Sequence, residues 1–240
     1  MSMKLYDESD IQNIANAIRS KGGGSDSYTI GEMAQAIADM EVGGDGWTAA
    51  GIANGTEPNG IVTVEATYMR TSYALIGPTS GVVIYAPNIT KLNEYAGYAA
   101  TNARLIMPNC TSAAASGGRT AWLQWIIMPK FVLTQANVLR DASYLTLVDI
   151  KTIASNGYFC SGASKLETLI IRNTAVGAVA STSLSLSASH HLTVYVPQSL
   201  ITSYQGATNW STWYANGWVE FVALEGSPYE STTWWEGEIS

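Results

Sequence analysis

The sequence LQWIIMPK at residues 123–130 contains IIMPK, one of six short apolar segments that recur along the middle of the chain. The others are IYAPN at 84–88, LIMPN at 105–109, VDIKT at 148–152, LIIRN at 169–173 and VYVPQ at 194–198. Their fourth residues are Pro87, Pro108, Pro129, Lys151, Arg172 and Pro197, and the steps between these positions are 21, 21, 22, 21 and 25. This nearly constant period predicts a solenoid, a stack of one-strand units in which each unit contacts its neighbours.

Two columns of this repeat are apolar in all six units. With the fourth residue as position zero, they are positions −1 and −3, which lie on the same face of a strand because side chains alternate. We expect them to point inward and to stack into one continuous core. They comprise Ala86, Met107, Met128, Ile150, Ile171 and Val196 at −1, and Ile84, Leu105, Ile126, Val148, Leu169 and Val194 at −3, with Leu123, Leu145 and Leu166 at −6 in three units.

The columns at −2 and −4 should point outward, yet most of their members are apolar or aromatic. A contiguous exposed apolar patch generally marks an interface, so we expect a partner or a second copy of the chain to bury this strand face. The alternative is coverage by the chain itself, through the Trp234–Trp235 tail or the N-terminal hairpin. The candidate binding residues are Tyr85, Arg104, Ile106, Trp125, Ile127, Leu147, Asp149, Ile170 and Tyr195.

Residues 1–42 have the pattern of a helical hairpin. Asp7 can cap a first helix, and Thr29-Ile30-Gly31-Glu32 is a capping box for a second. Two such short helices cannot form a sizeable core alone, so we expect them to serve attachment or oligomerisation. The residues on their apolar stripes are Ile11, Ile14 and Ile18 in the first helix and Met33, Ile37 and Met40 in the second.

The rest of the chain divides by composition into four parts. Residues 43–59 are rich in glycine and predict a linker. Residues 60–80 begin with an alternating strand pattern and predict a β cap, built on a hairpin, for the solenoid of residues 81–197. Residues 198–240 predict a C-terminal cap, with Ser199 as a helix cap, and an aromatic tail.

Charge and hydropathy exclude two classes of partner. The net charge is −7 and only 13% of residues are charged, so the basic face that nucleic-acid binding requires is missing. The N-terminal MSMKLYDESD has no apolar core of a signal peptide, and no run of 18 apolar residues predicts a membrane span. We expect a protein that reaches its working place without ordinary secretion, or stays in the cytoplasm, and that does not enter a membrane.

The residues that catalysis needs do not form a pattern. We expect Cys110 and Cys160 to be buried free thiols, and the adjacent His190 and His191 to diverge rather than bind a metal together. Scattered carboxylates such as Glu65 and Glu167 do not indicate a glycosidase pair. We therefore expect no enzyme activity, metal or cofactor.

Sugar binding is a second possibility that the aromatic content raises. Aromatic faces with Asn and Ser nearby can stack on a glycan, although such rings more often serve the core or an interface. The candidate rings are Tyr85, Trp122, Trp125, Tyr144 and Tyr195.

Three stretches carry a resemblance to known families. LQWIIMP at 123–129 resembles the BspA-like class of leucine-rich repeats, and KLETLIIRNT at 165–174 with YVPQSLITSYQGATNWSTWY at 195–214 resembles the end of such arrays in phage-type proteins of gram-positive bacteria. The stretch at 10–37 resembles a helical hairpin at the start of many phage and prophage tail proteins. The sequence departs from the repeat pattern where Lys151 and Arg172 replace proline.

The resemblance implies an α+β chain: a short N-terminal helical hairpin followed by a BspA-like leucine-rich β-solenoid with a C-terminal cap. It implies a non-enzymatic tail protein of the virion, made in the bacterial cytoplasm without a signal peptide. Such a protein binds a tail component and a host cell-surface protein or glycan. By analogy with displayed phage fibres, it also implies a homo-oligomer, with a trimer favoured. The alternative is a bacterial cell-surface adhesin, which should carry a signal peptide and an anchor; a glycan-active enzyme is less favoured.

Overall fold

The chain forms two compact units, Met1–Gly46 and Trp47–Ser240. The computed structural model describes residues 16, 61–63, 83–92, 103–114, 123–135, 137–154 and 158–239. In the first unit this is Asn16 alone, which is helical. The predicted hairpin, its six candidate attachment residues and the predicted linker therefore lie outside the described residues.

The second unit contains a parallel β-solenoid. One eight-stranded sheet has the order β1-β2-β4-β6-β7-β8-β9-β10, and each strand is parallel to its neighbours. A second sheet pairs β3 with β5, also in parallel. The strands are β1 Ile61–Thr63, β2 Val83–Tyr85, β3 Lys91–Leu92, β4 Ala103–Ile106, β5 Ser112–Ala113, β6 Leu123–Leu133, β7 Leu147–Ile153, β8 Thr168–Ile171, β9 Leu192–Val196 and β10 Val219–Ala223. The solenoid part of the predicted fold is thereby confirmed.

The register of the large sheet pairs equivalent positions of successive repeats. Ile84 pairs with Leu105 and Leu105 with Ile126, and the same column continues to Val194. Between β6 and β7 the register shifts once, between Met128 and Val132, where β6 contains more residues than the part of β7 that faces it. The repeat spacing thus sets the strand pairing.

The inward columns form the main core, as predicted. All twelve residues at positions −1 and −3 are fully buried, and the three leucines at −6 are buried with them. Stacked apolar columns remove these side chains from water in every coil, and each buried Leu, Ile or Met side chain contributes about 1.5–3 kcal/mol.

The turns before two strands use a left-handed backbone that recurs with the repeat. Leu139 and Cys160 have φ of 56° and 52°, and Asp141 and Gly162 have φ of 61° and 88°. A Cβ on Gly162 would lie 3.0 Å from the Asp141 Cα, so this position needs glycine for its backbone and for its close approach to the previous coil. The same turn therefore occurs in two successive coils, and one copy stacks on the other.

The N-terminal and C-terminal strands extend the solenoid beyond the six segments. β1 lies parallel to β2 in the register that pairs Ile61 with Val83, so it continues the repeat spacing and does not form a hairpin with β2. The remainder of the predicted cap at 60–80 lies outside the described residues. β10, which was not predicted, pairs in parallel with β9 and buries Val219 and Phe221 on the core side.

Two short helices lie between β9 and β10. A 3-10 helix at Gln198–Leu200 leads into α1, Ile201–Gly206, and α2 follows at Trp210–Ala215. Tyr204 and Trp210 are fully buried in the main core. The predicted capping role of Ser199 is wrong, because Leu200 occupies the N-cap of α1 and no side chain bonds there. No helix in the described part of the chain is long and apolar enough to cross a membrane.

Candidate functional site: the outer strand face and its covering tail

The nine candidate binding residues lie together on the outer face of the large sheet, which we call the outer strand face. Ile106, Ile127, Asp149 and Ile170 are fully buried, and Leu147 is nearly so. The other four, Tyr85, Arg104, Trp125 and Tyr195, are half-buried. Residues that would be exposed to solvent in an isolated solenoid are therefore covered.

The cover is the C-terminal segment of the same chain, residues 229–239, which we call the covering tail. It ends in a 3-10 helix at Trp234–Glu238. Its side chains Tyr229, Trp234, Trp235 and Ile239 join one apolar cluster with the outer strand face. Trp235 is 3% exposed, so the contact excludes water as a core does.

Aromatic contacts mark the path of the covering tail across the sheet. Tyr229 contacts Tyr195 of β9 edge to face, with ring centroids 4.9 Å apart. The ring centroid of Trp234 lies 6.0 Å from that of Trp125 in β6, and that of Trp235 lies 5.6 Å from that of Tyr85 in β2. The tail therefore runs back from the C-terminal strands toward the N-terminal ones and ties coils that are not sequential neighbours.

A buried ion pair holds the middle of the covering tail. The Arg172 guanidinium donates from Nε to Asp149 Oδ1 and from Nη2 to Asp149 Oδ2, both at 2.8 Å. The Trp234 indole Nε1 donates to the same Asp149 Oδ2 at 2.7 Å. Asp149 is fully buried and the Arg172 side chain is 6% exposed, so the charges are satisfied by each other and by the tail. We call Asp149, Arg172 and Trp234 the clasp.

Arg172 also binds the backbone of the covering tail. Its Nη2 donates to the carbonyl oxygens of Tyr229 at 2.8 Å and Ser231 at 3.1 Å, and its Nη1 donates to that of Glu230 at 3.1 Å. A planar guanidinium has five donors in a fixed fork, which suits it to bridge a carboxylate and a row of carbonyls. The departure from the repeat at Arg172 thus has a structural reason, and so does the carboxylate of Asp149 in an outward column whose members are mostly apolar or aromatic.

Burial determines the electrostatics of the clasp. It raises the pKa of Asp149 above the ordinary value, because a desolvated carboxylate is costly. The hydrogen bonds and charge of Arg172 and the indole of Trp234 act in the opposite direction. Breaking a buried pair by removing one partner leaves an uncompensated group, so the clasp is a point where the tail is sensitive to substitution.

A second charged contact holds the end of the covering tail. Arg104 of β4 forms a salt bridge with Glu238, and its guanidinium carbon lies 4.1 Å from the centre of the Trp125 ring. Both members of the salt bridge keep about a third of their side-chain surface exposed. This contact is therefore weaker than the clasp, since water screens exposed pairs.

Of the two expectations for the outer strand face, the structure shows the one in which the chain covers itself. The fully buried candidates cannot touch another molecule while the covering tail is in place. Binding of a partner or a second copy at these residues remains a prediction that requires the tail to leave. The sugar-stacking candidates Tyr85, Trp125 and Tyr195 contact the tail in the same way, whereas Trp122 lies outside the described residues.

Both cysteines are buried and unbridged, as predicted. Burial raises the pKa of the Cys110 thiol to about 12 and raises the pKa of Cys160 well above its ordinary value. His190 and His191 bond to backbone carbonyls: His190 Nδ1 lies 2.8 Å from Ser185 O, and His191 Nδ1 lies 2.7 Å from Gly217 O. Among the described residues, no group of three or more His, Cys, Asp and Glu side chains is placed to hold a metal ion.

An open cleft of about 620 Å³ lies beside the C-terminal helices. It contains none of the predicted site residues, and small side chains and backbone form its walls. The lining residues are Val176, Gly177, Ala178, Val179, Ala180, Ser181, Ala207, Thr208 and Asn209. None of these nine residues has a titratable side chain, so the lining of the cleft provides no side-chain acid or base.

Comparison with known proteins gives no relative: no family model, no curated protein and no solved structure matches this chain.

Proposed function

We propose that this chain is a non-enzymatic protein of a phage or prophage tail, in which the solenoid is displayed and binds a host surface component. In this proposal residues 1–42 attach the protein to a tail partner or join its copies, with a trimer favoured by analogy. The solenoid is of the BspA-like leucine-rich class. The resemblance of residues 10–37, 123–129, 165–174 and 195–214 to tail-protein segments supports the assignment.

The observation that carries the proposal is the covered outer strand face. A solenoid that buries its own apolar face needs no permanent partner there to remain stable. Such a unit can be attached to a tail through one end, which leaves its surface, poor in charged residues, available to bind a host component. The clasp supports this interpretation, because a buried bidentate pair is a feature of a fixed contact and not of a surface kept open for a partner.

Two measurements on purified protein test the proposal. The fluorescently labelled full chain and a chain starting at Gly60 are each tested for binding to gram-positive cells, and their masses in solution are measured by light scattering. We expect both chains to bind cells, and only the full chain to be oligomeric. A full chain that binds no cells across a broad strain panel contradicts the host-binding role. If oligomers persist without residues 1–59, the solenoid is responsible for self-association and residues 1–42 are not.

A further inference from the structure

An exposed tyrosine stands in a polar network on the turn side of the solenoid. Among the described residues, the large apolar side chains that are exposed are Tyr158, at 44%, and Tyr214, at 43%. Tyr214 belongs to α2, where its ring contacts that of Phe221. Tyr158 instead lies beside the preceding coil, where three polar side chains form the network: Asn137, Arg140 and Asp141.

Arg140 is the centre of this network. Its guanidinium carbon lies 5.1 Å from the centre of the Tyr158 ring, and its Nη1 donates to Asn137 Oδ1 at 3.3 Å. Its Nε lies 3.8 Å from Asp141 Oδ2, and 40% of the Arg140 side chain is exposed. The guanidinium lies over one face of the Tyr158 ring, and 44% of the surface of this residue remains exposed.

The two coils that supply the network are tied by their backbones. Cys160 N–H donates to Val138 O at 3.2 Å, and Asp141 N–H donates to Ser161 O at 2.6 Å. Asn137 and Asp141 both have left-handed φ, at 61°, within the turn that the next coil repeats. The ring and its polar neighbours are therefore placed by the solenoid itself.

We propose that Tyr158, Arg140, Asn137 and Asp141 form a carbohydrate-binding site. The π face of an aromatic ring carries negative charge, so it attracts the polarised C–H groups on one side of a pyranose. The Arg140 cation over one face of the ring helps to fix the position of the ring. Beside the ring, Arg140 supplies donors, and of the two side chains that Arg140 contacts, Asp141 supplies acceptors and Asn137 supplies both. This is the mixture that vicinal hydroxyl groups require.

A saccharide fits this surface better than a protein partner does. Protein interfaces bury an apolar centre, and the exposed large apolar side chains in the described part of the chain are two tyrosines, one beside a turn and one in α2. One ring beside the polar network of Arg140 matches a sugar unit in size. This inference rests on the proposed function, because it names the class of host component that the solenoid binds.

The test uses the full chain and a pair of tyrosine substitutions. An array of bacterial surface polysaccharides and teichoic acids is probed with wild type, Tyr158→Ala and Tyr214→Ala, and titration calorimetry with the best-binding purified polysaccharide follows. Tyr214 is the matched control because its exposure is nearly equal. We expect Tyr158→Ala to weaken binding at least tenfold and Tyr214→Ala to leave it unchanged. Thermal melting of each variant verifies that it is folded.

Other results overturn the proposal. If wild type binds no polysaccharide, or if Tyr158→Ala binds as wild type does, the site is not a carbohydrate site. Arg140→Met provides a second arm, since it removes the donors and the cation but keeps a long side chain; it should also weaken binding.

Treated cells separate this inference from the proposed function. Periodate cleaves the vicinal diols of cell-surface sugars, whereas protease removes surface proteins. Cell binding that survives periodate and is lost after protease retains the host-binding role and overturns the sugar site. Polysaccharide binding by a chain that binds no intact cells retains the sugar site and overturns the host-binding role.

Discussion

The two faces of the large sheet are both covered, but by different means. The inner face packs against residues of its own and neighbouring coils, so its partners recur with the repeat. The outer strand face packs against a tail that lies far along the chain: Arg172 reaches Tyr229 across 57 residues, and Arg104 reaches Glu238 across 134. A repeat can therefore specify one face by periodicity while a single, unrepeated segment completes the other.

The two faces also differ in what fixes their geometry. Apolar columns on the inner face are held by shape and by the strand register. The buried part of the outer strand face is apolar except for the clasp, whose hydrogen bonds have direction. We infer that the clasp sets the position of the covering tail, since aromatic contacts alone would tolerate a shift along the sheet.

The largest expected effect comes from breaking the clasp. Arg172→Met leaves Asp149 buried without its partner, and we expect a loss of about 3–5 kcal/mol in the free energy of unfolding. The double variant Asp149→Leu/Arg172→Met removes both charges and should recover part of that loss, because no buried charge is then unpaired. Urea denaturation of the three proteins measures the difference. A double variant no more stable than the single one would contradict the account of the clasp.

Neighbouring residues on β8 compare the two faces directly. Leu169 faces inward and Ile170 outward, and both are fully buried. Truncation of either to alanine should cost about 2–5 kcal/mol in the full chain. In a chain that ends at Gly226, Leu169→Ala should lower the free energy of unfolding by as much as in the full chain. Ile170→Ala should lower it much less, because the outer strand face is then already exposed to solvent. Equal costs for Ile170→Ala in both chains would mean that the covering tail does not bury this face.

The sequence predicts the repetitive part of the structure and little of what is unique. The register and the inward columns follow from the regular spacing, and the apolar outward columns correctly indicated burial. The spacing alone does not identify the cover, because residues 229–239 occur once and lie outside the repeat. The aromatic tail at Trp234–Trp235 was one of two segments of the chain that could cover this face, and the structure shows that it does. The clasp had a signal that could have been used: Asp149 and Arg172 are charges in successive coils, at repeat positions otherwise held mostly by apolar residues or proline.

Other features could not be predicted for different reasons. β10 pairs Val219 with Leu192 of β9, and these two residues lie farther apart in the sequence than any two equivalent positions of successive repeats. The repeat spacing therefore could not predict β10. The left-handed residues Leu139 and Cys160 are not glycines, so their own identities did not indicate a left-handed backbone. Arg140 and Tyr158 belong to neighbouring coils, and only the structure brings one over the other.

A smaller effect should separate the two tail tryptophans. Trp234 donates to the buried carboxylate of Asp149, whereas Trp235 donates to the Thr232 carbonyl within the tail. Hydrogen bonds to charged groups contribute about 1.5–3 kcal/mol and those between neutral groups about 0.5–1.5 kcal/mol. Trp234→Phe should therefore lower the free energy of unfolding by more than Trp235→Phe does, as measured by urea denaturation. The reverse order would remove Trp234 from the clasp.

Ionisation of the two cysteine thiols should have the smallest effect on stability. Labelling of the same thiols tests whether the inner face is protected independently of the outer one. Cys110 and Cys160 belong to the inner core, and their raised pKa values keep both thiols protonated when folded. Because the thiolate is the nucleophile, we expect an aromatic disulfide reagent at pH 8 to label neither thiol in the native chain and both in denaturant. The thiols should lower stability only as the pH rises above about 9 toward 12, where unfolded thiols ionise and folded ones do not.

The same labelling experiment shows whether the two faces depend on each other. Removal of residues 227–240 should leave both thiols protected, since it uncovers the outer strand face alone. Rapid labelling of Cys110 or Cys160 in that shorter chain would show that the covering tail also supports the inner core. The two faces would then be one cooperative unit, and the periodic core would owe part of its stability to a segment that the repeat does not encode.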